Sequence, residues 1–452
     1  MSRELVEIAE WAVNAALRAG ADQADVFLIR QRALRIEGSN EKRTDIRQRR
    51  AEEGISQGAN IRVVIDKRVA YSYATSIERE DLLRAIEMAI STARAKRPDP
   101  DFVSLPSPKA PAKVQGLVDD RMKKPPIDDL FDEVRKCLKE LEEAEPRYCT
   151  ISAGYGFSIL EVAIANSLGV EAYYEGTTGG VGVYMVAEEG GIRASSFESI
   201  SSRKFEDLDL QRCMDVALKY IKLGLKPIKL EPGEKKVLFE PWALSSLIAN
   251  VFIPAINAYN IQEGKSYLAG KLGVQVASEK LTIIDDGTMP GGLMSTPVDG
   301  EGVPSRRTVI IENGVLKSYL YDSYTAFKEG RESTGNASRS LRGAVSIGPR
   351  NHILQGETCK LDELMESIEE GVLARMVMGA HSSNVATGAF SVVITPAYVI
   401  KNGELIGAWR GCLISGTFQE LLQRYVAQGD DTRQIGFLVA PSVLFEGLKV
   451  TT

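Results

Sequence analysis

Two stretches of the chain decide its fold: GANIRVVIDKRVAYSYATS, residues 58–76, and GGVGVYMVAEEGGIRASSF, residues 179–197. Each stretch is a glycine, a β-prone run, a polar turn and a second β-prone run. Each also leads into an amphipathic helical pattern. Short alternating runs that meet at a polar turn are typical of antiparallel strands. The two stretches therefore indicate that one supersecondary unit occurs twice in the chain.

The sequence around these stretches completes the two units. In the first unit we predict strands over residues 26–30, 60–65 and 68–74, between a helix that ends at Gly20 and a helix over 80–95. In the second unit we predict helices over 127–144 and 208–223, and strands over 148–153, 161–166, 170–175, 180–187 and 191–198. Helices that flank an antiparallel sheet give an α+β fold with two small helix–strands–helix domains.

Proline clusters and turn dipeptides indicate the domain boundaries. Seven of the 18 prolines lie between Pro98 and Pro126, where they exclude an ordinary helix or a central strand. We therefore divide the chain into a first domain (1–97), a proline-rich linker (98–126), a second domain (127–228) and a large C-terminal domain (229–452). Asn313-Gly314 and Asn402-Gly403 predict hairpins in the last domain. We expect a curled, barrel-like sheet there, with helices over 241–258, 361–373 and 417–427.

Composition excludes several classes of protein. The chain has 452 residues, 44% hydrophobic and 26% charged, and its net charge of −6 argues against direct nucleic-acid binding. The five cysteines form no CxxC pair, so we expect free thiols in a reducing cytoplasm. We find neither a signal peptide nor a long apolar segment, and therefore expect no membrane association.

Histidine is too scarce for most metal sites. The only two histidines are His352 and His381, and neither has a second histidine at helical ligand spacing. An HExxH zinc helix is therefore absent. A Ser–His–Asp arrangement needs one histidine, so these counts leave it open.

Three local patterns allow both a structural and a functional interpretation. The arginine-rich stretch 30–50 is interleaved with acids, which favours a charged, mobile loop over a nucleic-acid site. The glycine-rich pieces at Gly154 and Thr177 do not fit a phosphate loop, and we interpret their glycines as strand edges and turns. Asp299 and Glu301 are flanked by glycines and could face a groove or a cation, although composition alone favours a solvated loop.

Three further segments carry a family resemblance. They are SYLAGKLGVQVASEKLTIIDDGT (266–288), STPVDGEGVPSRRTVIIENGVLKSYLYDSYTA (295–326) and STGNA (333–337). Together with the domain layout they resemble the TldD/PmbA family, also called modulator of DNA gyrase. In that family, TldD-like chains carry an HExxxH zinc motif, whereas PmbA-like (TldE-like) chains lack it and pair with a TldD-like partner.

The zinc-motif positions place this chain in the second branch. Carrying the family spacing back from Val276 puts Ala249, Asn250 and Pro254 at the first histidine, the glutamate and the second histidine of the motif. Ala249 and Pro254 have no ligating group, and we expect Pro254 to break the helix. The family's C-terminal cysteine ligand also has no counterpart over residues 434–437. The chain therefore resembles the PmbA/TldE branch.

The resemblance implies a non-catalytic subunit of a TldD/TldE-type zinc metallopeptidase that acts in proteolysis and peptide maturation. It implies no catalytic residue and no metal or other cofactor in this chain, zinc in the TldD-like partner, and a peptide substrate that adds to a strand edge. The expected lining residues are Asp299, Glu301, Thr334, Gly335 and Asn336. Two alternatives stay open: a stand-alone homodimeric peptide-binding or regulatory protein of the gyrase-modulator type, and a metal-free hydrolase that uses serine or carboxylate groups.

Overall fold

The computed structural model describes residues 2–452, and its N-terminal half is built on one antiparallel sheet. The helices of this half are α1 Ser2–Arg18, α2 Arg79–Ala95, α3 Asp120–Lys123, α4 Ile127–Ala144 and α5 Leu210–Gly224. The strands are β1 Gln23–Glu41, β2 Ile46–Ile65, β3 Arg68–Ala74, β4 Tyr148–Asn166, β5 Glu171–Glu189 and β6 Ile192–Ser202. The six strands lie in the order β3-β2-β1-β4-β5-β6.

The two helix–strands–helix units share this sheet. Strand β1 pairs with β2 of its own unit on one side and with β4 of the second unit on the other, in a register that places Asp25 opposite Asn166. The short strands expected in pairs over 148–166 and 170–187 are continuous strands of 19 residues each. Long strands are favoured here because each has a neighbour along most of its length, which satisfies its backbone hydrogen-bonding groups.

The arginine-rich stretch is not the mobile loop that its charges suggest. It forms the outer halves of β1 and β2, which pair in register up to Glu41 and Ile46. The opposite charges that suggested a loop lie next to one another across the two strands: Arg50 pairs with Glu37 and Arg32 with Glu53. Cross-strand pairs of opposite charge stabilise an antiparallel pair.

The two faces of the sheet have different neighbours. Helices α1, α2, α4 and α5 cover one face through two apolar clusters. On the opposite face, the half near Phe27 and Ile164 packs against Val298 of the C-terminal unit. The other half is an open trough of about 810 Å³, lined mainly by small residues: Ser152, Gly154, Gly156, Ser158, Gly180, Gly182, Ser199 and Ser201.

The glycines of the trough lie inside strands, which corrects their interpretation as strand edges and turns. Gly154 and Gly156 are in β4, and Gly179, Gly180 and Gly182 are in β5. A Cβ atom on Gly154 would lie 2.5 Å from the Ile36 carbonyl oxygen. Close approach of the backbone of β1 therefore requires glycine at this position.

The proline-rich segment is a strap between the sheet and the C-terminal unit. Phe102 and Leu105 are buried against Val64 of β2. Further along, the Ala112 amide donates to the Pro297 carbonyl at 3.0 Å, and the Thr177 amide donates to the Leu117 carbonyl at 2.8 Å. The strap thus has backbone hydrogen bonds to both the sheet and the C-terminal unit.

The C-terminal unit contains two further large sheets. Its helices are α6 Pro241–Leu247, α7 Ile253–Ala255, α8 Ala258–Gln262, α9 Ser323–Lys328, α10 Leu361–Glu366 and α11 Phe418–Gln423. Its strands are β7 Gly233–Phe239, β8 Thr282–Asp286, β9 Arg307–Glu312, β10 Val315–Leu316, β11 Ala337–Ser338, β12 Ser346–Ile347, β13 Asn351–Gln355, β14 Glu370–Ala374, β15 Val377–Met378, β16 Ala389–Ile394, β17 Ala397–Lys401, β18 Glu404–Trp409, β19 Cys412–Thr417, β20 Tyr425–Gln428, β21 Arg433–Ile435, β22 Leu438–Ala440 and β23 Val443–Thr451.

A nine-stranded sheet runs in the order β15-β16-β19-β23-β7-β14-β17-β18, with β20 beside β23, and curls into a half-barrel. A six-stranded sheet runs β10-β9-β8-β13-β22-β21, and β11 pairs with β12. The large apolar core of this unit joins the two sheets to α6, α7 and α11. The α+β class and the curled sheet expected from the sequence are confirmed.

Both Asn-Gly hairpins are confirmed: Asn313 and Asn402 have φ values of 46° and 48° and separate paired strands. Two expected helices are shorter than predicted. The second halves of 361–373 and 417–427 form β14 and β20, because Val372 and Tyr425 are buried as members of the nine-stranded sheet. No helix over residues 2–452 is long and apolar enough to span a membrane.

Candidate functional site

The helix that carries the zinc-motif positions is continuous. It runs from α6 through a π-helical turn, Ile248–Phe252, into α7. Pro254 does not break the helix as expected. A proline lacks the N–H for an i→i−4 bond, and here it follows a turn that is already widened and precedes the helix end at Ala255 by one residue.

Ala249, Asn250 and Pro254 are all half-buried on this helix. The Asn250 amide donates to the Ser246 carbonyl at 2.8 Å, and the Pro254 carbonyl accepts from the Asn260 amide at 2.8 Å. None of the three supplies an imidazole or a carboxylate. The helix packs against β21 and β22, so it lies beside residues 433–440.

Gln434 lies in that region, on β21, and its amide is used within the chain. It accepts from the Leu293 N–H at 3.1 Å and donates to Asn351 Oδ1 at 2.8 Å. Across residues 2–452, no three His, Cys, Asp or Glu side chains are grouped closely enough to hold a metal ion. A catalytic zinc needs about three such ligands. The residues present here therefore do not fit a zinc ion.

The acidic loop 299–302 is buried, which corrects its interpretation as a solvated loop. Asp299 and Glu301 are 1% and 2% exposed. Asp299 Oδ1 accepts from the backbone N–H of Glu301 and of Val303, both at 2.9 Å, and its Oδ2 accepts from the Ala337 N–H at 3.1 Å. Gly302 lies so close to Val170 of the sheet that a Cβ would be 2.3 Å from a Val170 methyl carbon.

Thr334, Gly335 and Asn336 lie next to this loop and are buried as well. The Thr334 hydroxyl accepts from the Tyr321 N–H at 2.7 Å. The Asn336 amide donates to Asp285 at 2.7 Å and to the Gly348 carbonyl at 3.0 Å. The structure thus brings the five expected lining residues into one buried polar cluster. Their contact with a peptide stays a prediction.

Glu301 belongs to an ion-pair cluster between the sheet and the C-terminal unit. Arg62 of β2 donates to Glu301 at 2.8 Å and to Asp25 of β1 through two nitrogens. Arg339 of the C-terminal unit donates to the other Asp25 oxygen at 2.9 Å and to Asn60 at 2.9 Å. All four charged side chains are at most 4% exposed. We call Asp25, Arg62, Glu301 and Arg339 the interface cluster.

Burial and neighbouring charges change the pKa values of the carboxyl groups in this region, and the direction differs from one group to the next. Burial would raise the pKa of Asp25, but the guanidinium groups of Arg339 and Arg62 outweigh it, so this pKa is lowered. Burial and the charge of Glu301 raise the pKa of Asp299 to about 7 and that of Asp322 to about 6. Asp299 and Asp322, which lie near Glu301 but outside the interface cluster, therefore release their protons at a higher pH than an ordinary aspartate.

Sequence reasoning missed Asp25, Arg62 and Arg339. Asp25 and Arg62 lie inside the apolar runs QADVFL and ANIRVV. A charged side chain within a buried strand requires a buried partner, so the sequence did carry a signal for this ion pair. Sequence reasoning also did not predict the surroundings of His352, whose ring is fully buried between Phe252 and Phe437, with Nδ1 3.6 Å from Asp285 Oδ1. No sequence pattern indicates that contact.

Three family models match successive parts of the chain. Residues 24–93 match PmbA/TldA metallopeptidase domain 1, residues 123–224 match its central domain, and residues 232–452 match its C-terminal domain. The order of the three matches is the order of the structural units.

Known proteins resemble the chain over nearly its full length. An uncharacterised protein of Methanocaldococcus jannaschii is 30% identical over 87% of this chain and 89% of its own. A metalloprotease of Methanothermobacter thermautotrophicus is 28% identical over 96% and 92%. The crystal structure of TldE from Thermococcus kodakarensis superposes with a TM-score of 0.89 at 29% identity, covering 98% of this chain and all of that one.

Proposed function

The chain belongs to the PmbA/TldD family, and from that premise we propose that it is the TldE-like, non-catalytic subunit of a TldD/TldE-type zinc metallopeptidase. In this proposal a TldD-like homologue supplies the zinc ion and the catalytic groups. The complex acts in proteolysis and peptide maturation, and this chain helps to enclose the peptide.

One observation carries the proposal: the helix at Ala249, Asn250 and Pro254 lies beside β21 and has no zinc ligand. A zinc peptidase needs ligands, a general base and an open coordination position on the same scaffold. A chain that has the family fold and lacks these ligands is suited to support an active homologue.

The test combines the purified chain with the TldD-like homologue from the same organism. We expect a stable complex, zinc in the homologue only, and peptidase activity well above that of either chain alone. The matched control is a homologue in which the glutamate of its HExxxH motif is replaced by glutamine, which should bind this chain equally well and give no activity. A homologue that is fully active alone and forms no complex would contradict the proposal.

The same experiment separates the alternatives. Activity of this chain alone in excess chelator would favour a metal-free hydrolase. A homodimer that binds peptides and ignores the homologue would favour the stand-alone regulatory protein.

For the peptide path we propose the cluster formed by Asp299, Glu301, Thr334, Gly335 and Asn336. The sheet and the C-terminal unit both cover this cluster, so the peptide has to enter between them. A photoreactive peptide bound to the complex should label residues 299–302 or 334–336. Labelling confined to other segments of this chain would exclude the path.

We also propose that the complex works in the cytoplasm, since all five cysteines are free and scattered. The domain division into 1–97, 98–126, 127–228 and 229–452 is part of the same proposal. Fractionation of cells and mapping of sites cut by limited proteolysis test these two points.

A further inference from the structure

The six-stranded sheet has a long open edge. Strand β3 pairs only with residues 59–65 of β2, whereas β2 pairs with β1 along its whole length. Residues 46–57 therefore pair with no other strand within the described chain, and we call them the free edge. At about 3.3 Å per residue the free edge is roughly 40 Å long.

An exposed edge of this length is unusual, because unpaired N–H and C=O groups attract other strands. Its side chains are exposed apart from half-buried Arg49 and Gln57. Two isoleucines, Ile46 and Ile55, are 47% and 70% exposed. The edge thus has apolar surface as well as free backbone groups.

The charges along the edge are ordered. Arg47, Arg49 and Arg50 precede Ala51, and Glu52 and Glu53 follow it. If two copies of the edge pair antiparallel about Ala51, Arg50 lies opposite Glu52 of the second copy and Arg49 lies opposite Glu53. Each pair occurs twice by symmetry, which gives four ion pairs between the two copies. They add to the pairs that Arg50 and Glu53 make with Glu37 and Arg32 of their own chain.

In this register, the two residues of each ion pair lie on the same face of the sheet. In the pairing of β1 with β2, Arg49 and Glu53 lie opposite Gly38 and Leu34, on the helix-covered face. Arg50 and Glu52 lie opposite Glu37 and Arg35, on the trough face. A twofold axis perpendicular to the sheet keeps each residue on its own face, so both kinds of pair form together.

Arg49 supports the same register. Its guanidinium donates to the Ser39 carbonyl at 3.1 Å and to the Gln48 carbonyl at 2.6 Å, and it has no carboxylate within ion-pair distance in the described chain. A second copy would supply Glu53. The same pairing places Arg47 beside the exposed Ile55 of the second copy, where the arginine stem covers apolar surface.

We propose that two copies of this chain associate through antiparallel pairing of the free edge about Ala51, which makes one twelve-stranded sheet across the dimer. The proposal does not depend on the zinc-bearing partner, since it concerns the contact between two copies of this chain. It assigns a role to an arginine-rich stretch that the proposed peptidase function does not use.

The test measures the mass of the full chain by sedimentation equilibrium at low and high salt. We expect a dimer that weakens as salt rises, because the ion pairs lie in a solvent-exposed region. Arg49→Glu/Arg50→Glu makes residues 49–53 carry only acidic charges, and Glu52→Arg/Glu53→Arg makes them carry only basic charges. Each variant alone should raise the dimer Kd by at least about tenfold, since like charges then lie opposite one another.

Mixing the two variants should restore the dimer, because an acidic edge and a basic edge again complement each other. This rescue shows that neither variant is merely misfolded. As the matched control for Arg49→Glu/Arg50→Glu, Arg84→Glu/Arg212→Glu makes the same change in net charge on two exposed helical positions and should leave the Kd unchanged. A monomeric wild-type chain at about 100 µM in low salt overturns the proposal, and so do edge variants that dimerise like the wild type.

Discussion

Replacing Arg62 by methionine should destabilise the protein far more than the loss of an ordinary surface arginine. Arg62 is 4% exposed and donates to Asp25 at 3.1 Å and to Glu301 at 2.8 Å. Without it, Asp25 keeps Arg339, but Glu301 keeps only the Ser323 N–H at 2.9 Å. Removing one partner of a buried ion pair typically costs about 3–5 kcal/mol, because the other charge stays buried and unpaired.

The free energy of unfolding in urea, followed by the fluorescence of the three tryptophans, measures this loss. Arg84→Met is the matched control, because Arg84 makes comparable ion pairs with Glu80 and Asp81 while its side chain is 66% exposed. We expect Arg84→Met to cost less than about 1 kcal/mol.

A second substitution tests whether the unpaired Glu301 carboxylate causes the loss of stability. Adding Glu301→Gln to Arg62→Met removes the bare carboxylate and keeps an acceptor for Ser323, so it should recover about 1–3 kcal/mol. If Arg62→Met costs no more than Arg84→Met, the interface cluster does not hold the two bodies together. If the double variant is less stable than Arg62→Met, the unpaired charge is not the reason for the loss.

Three further predictions follow from the same contacts. Because the folded-state pKa of Asp299 is about 7, above its unfolded value of about 3.9, this residue stabilises the fold fully below pH 4 and loses that contribution as pH rises through 7. Asp299→Asn should therefore flatten the fall in urea midpoint between pH 5 and pH 8, and an unchanged slope would contradict the assignment. Gly335→Ala should lower the stability more than Gly330→Ala. Both glycines have positive φ, but only at Gly335 would a Cβ lie 2.7 Å from a backbone oxygen, that of Pro304. Equal losses would show that the backbone conformation alone matters. Excess chelator should leave the melting temperature of the purified chain unchanged, and a clear decrease would reveal a metal site.

The sequence was most informative where local chemistry decides the structure. The Asn-Gly hairpins and helix α4 formed where predicted, because turn residues and a 3.6-residue apolar period act within a few neighbours. The absence of zinc ligands could also be read directly, because it needs only the residue types at Ala249, Asn250 and Pro254.

Pairing between distant segments could not be read in the same way. The outer part of β1 and β2 is charged and lacks the alternation of a half-buried strand, so it suggested a loop. Its strand conformation depends on the pairing of β1 with β2 and also on neighbours that are remote in sequence, such as α4, which approaches Gly38 closely. The burial of Asp299 and Glu301 likewise depends on Arg62, which is more than 200 residues away.

The shared sheet has a consequence for how the chain folds during synthesis. Strand β1 emerges from the ribosome early, but its second neighbour is β4, whose Asn166 pairs with Asp25. Until β4 has been made, one side of the 19-residue β1 strand is unprotected. Contacts of such high sequence separation form slowly, and unpaired strands are prone to aggregation. Folding of the first unit should therefore stay incomplete until the second arrives, and early nascent chains should need chaperone protection.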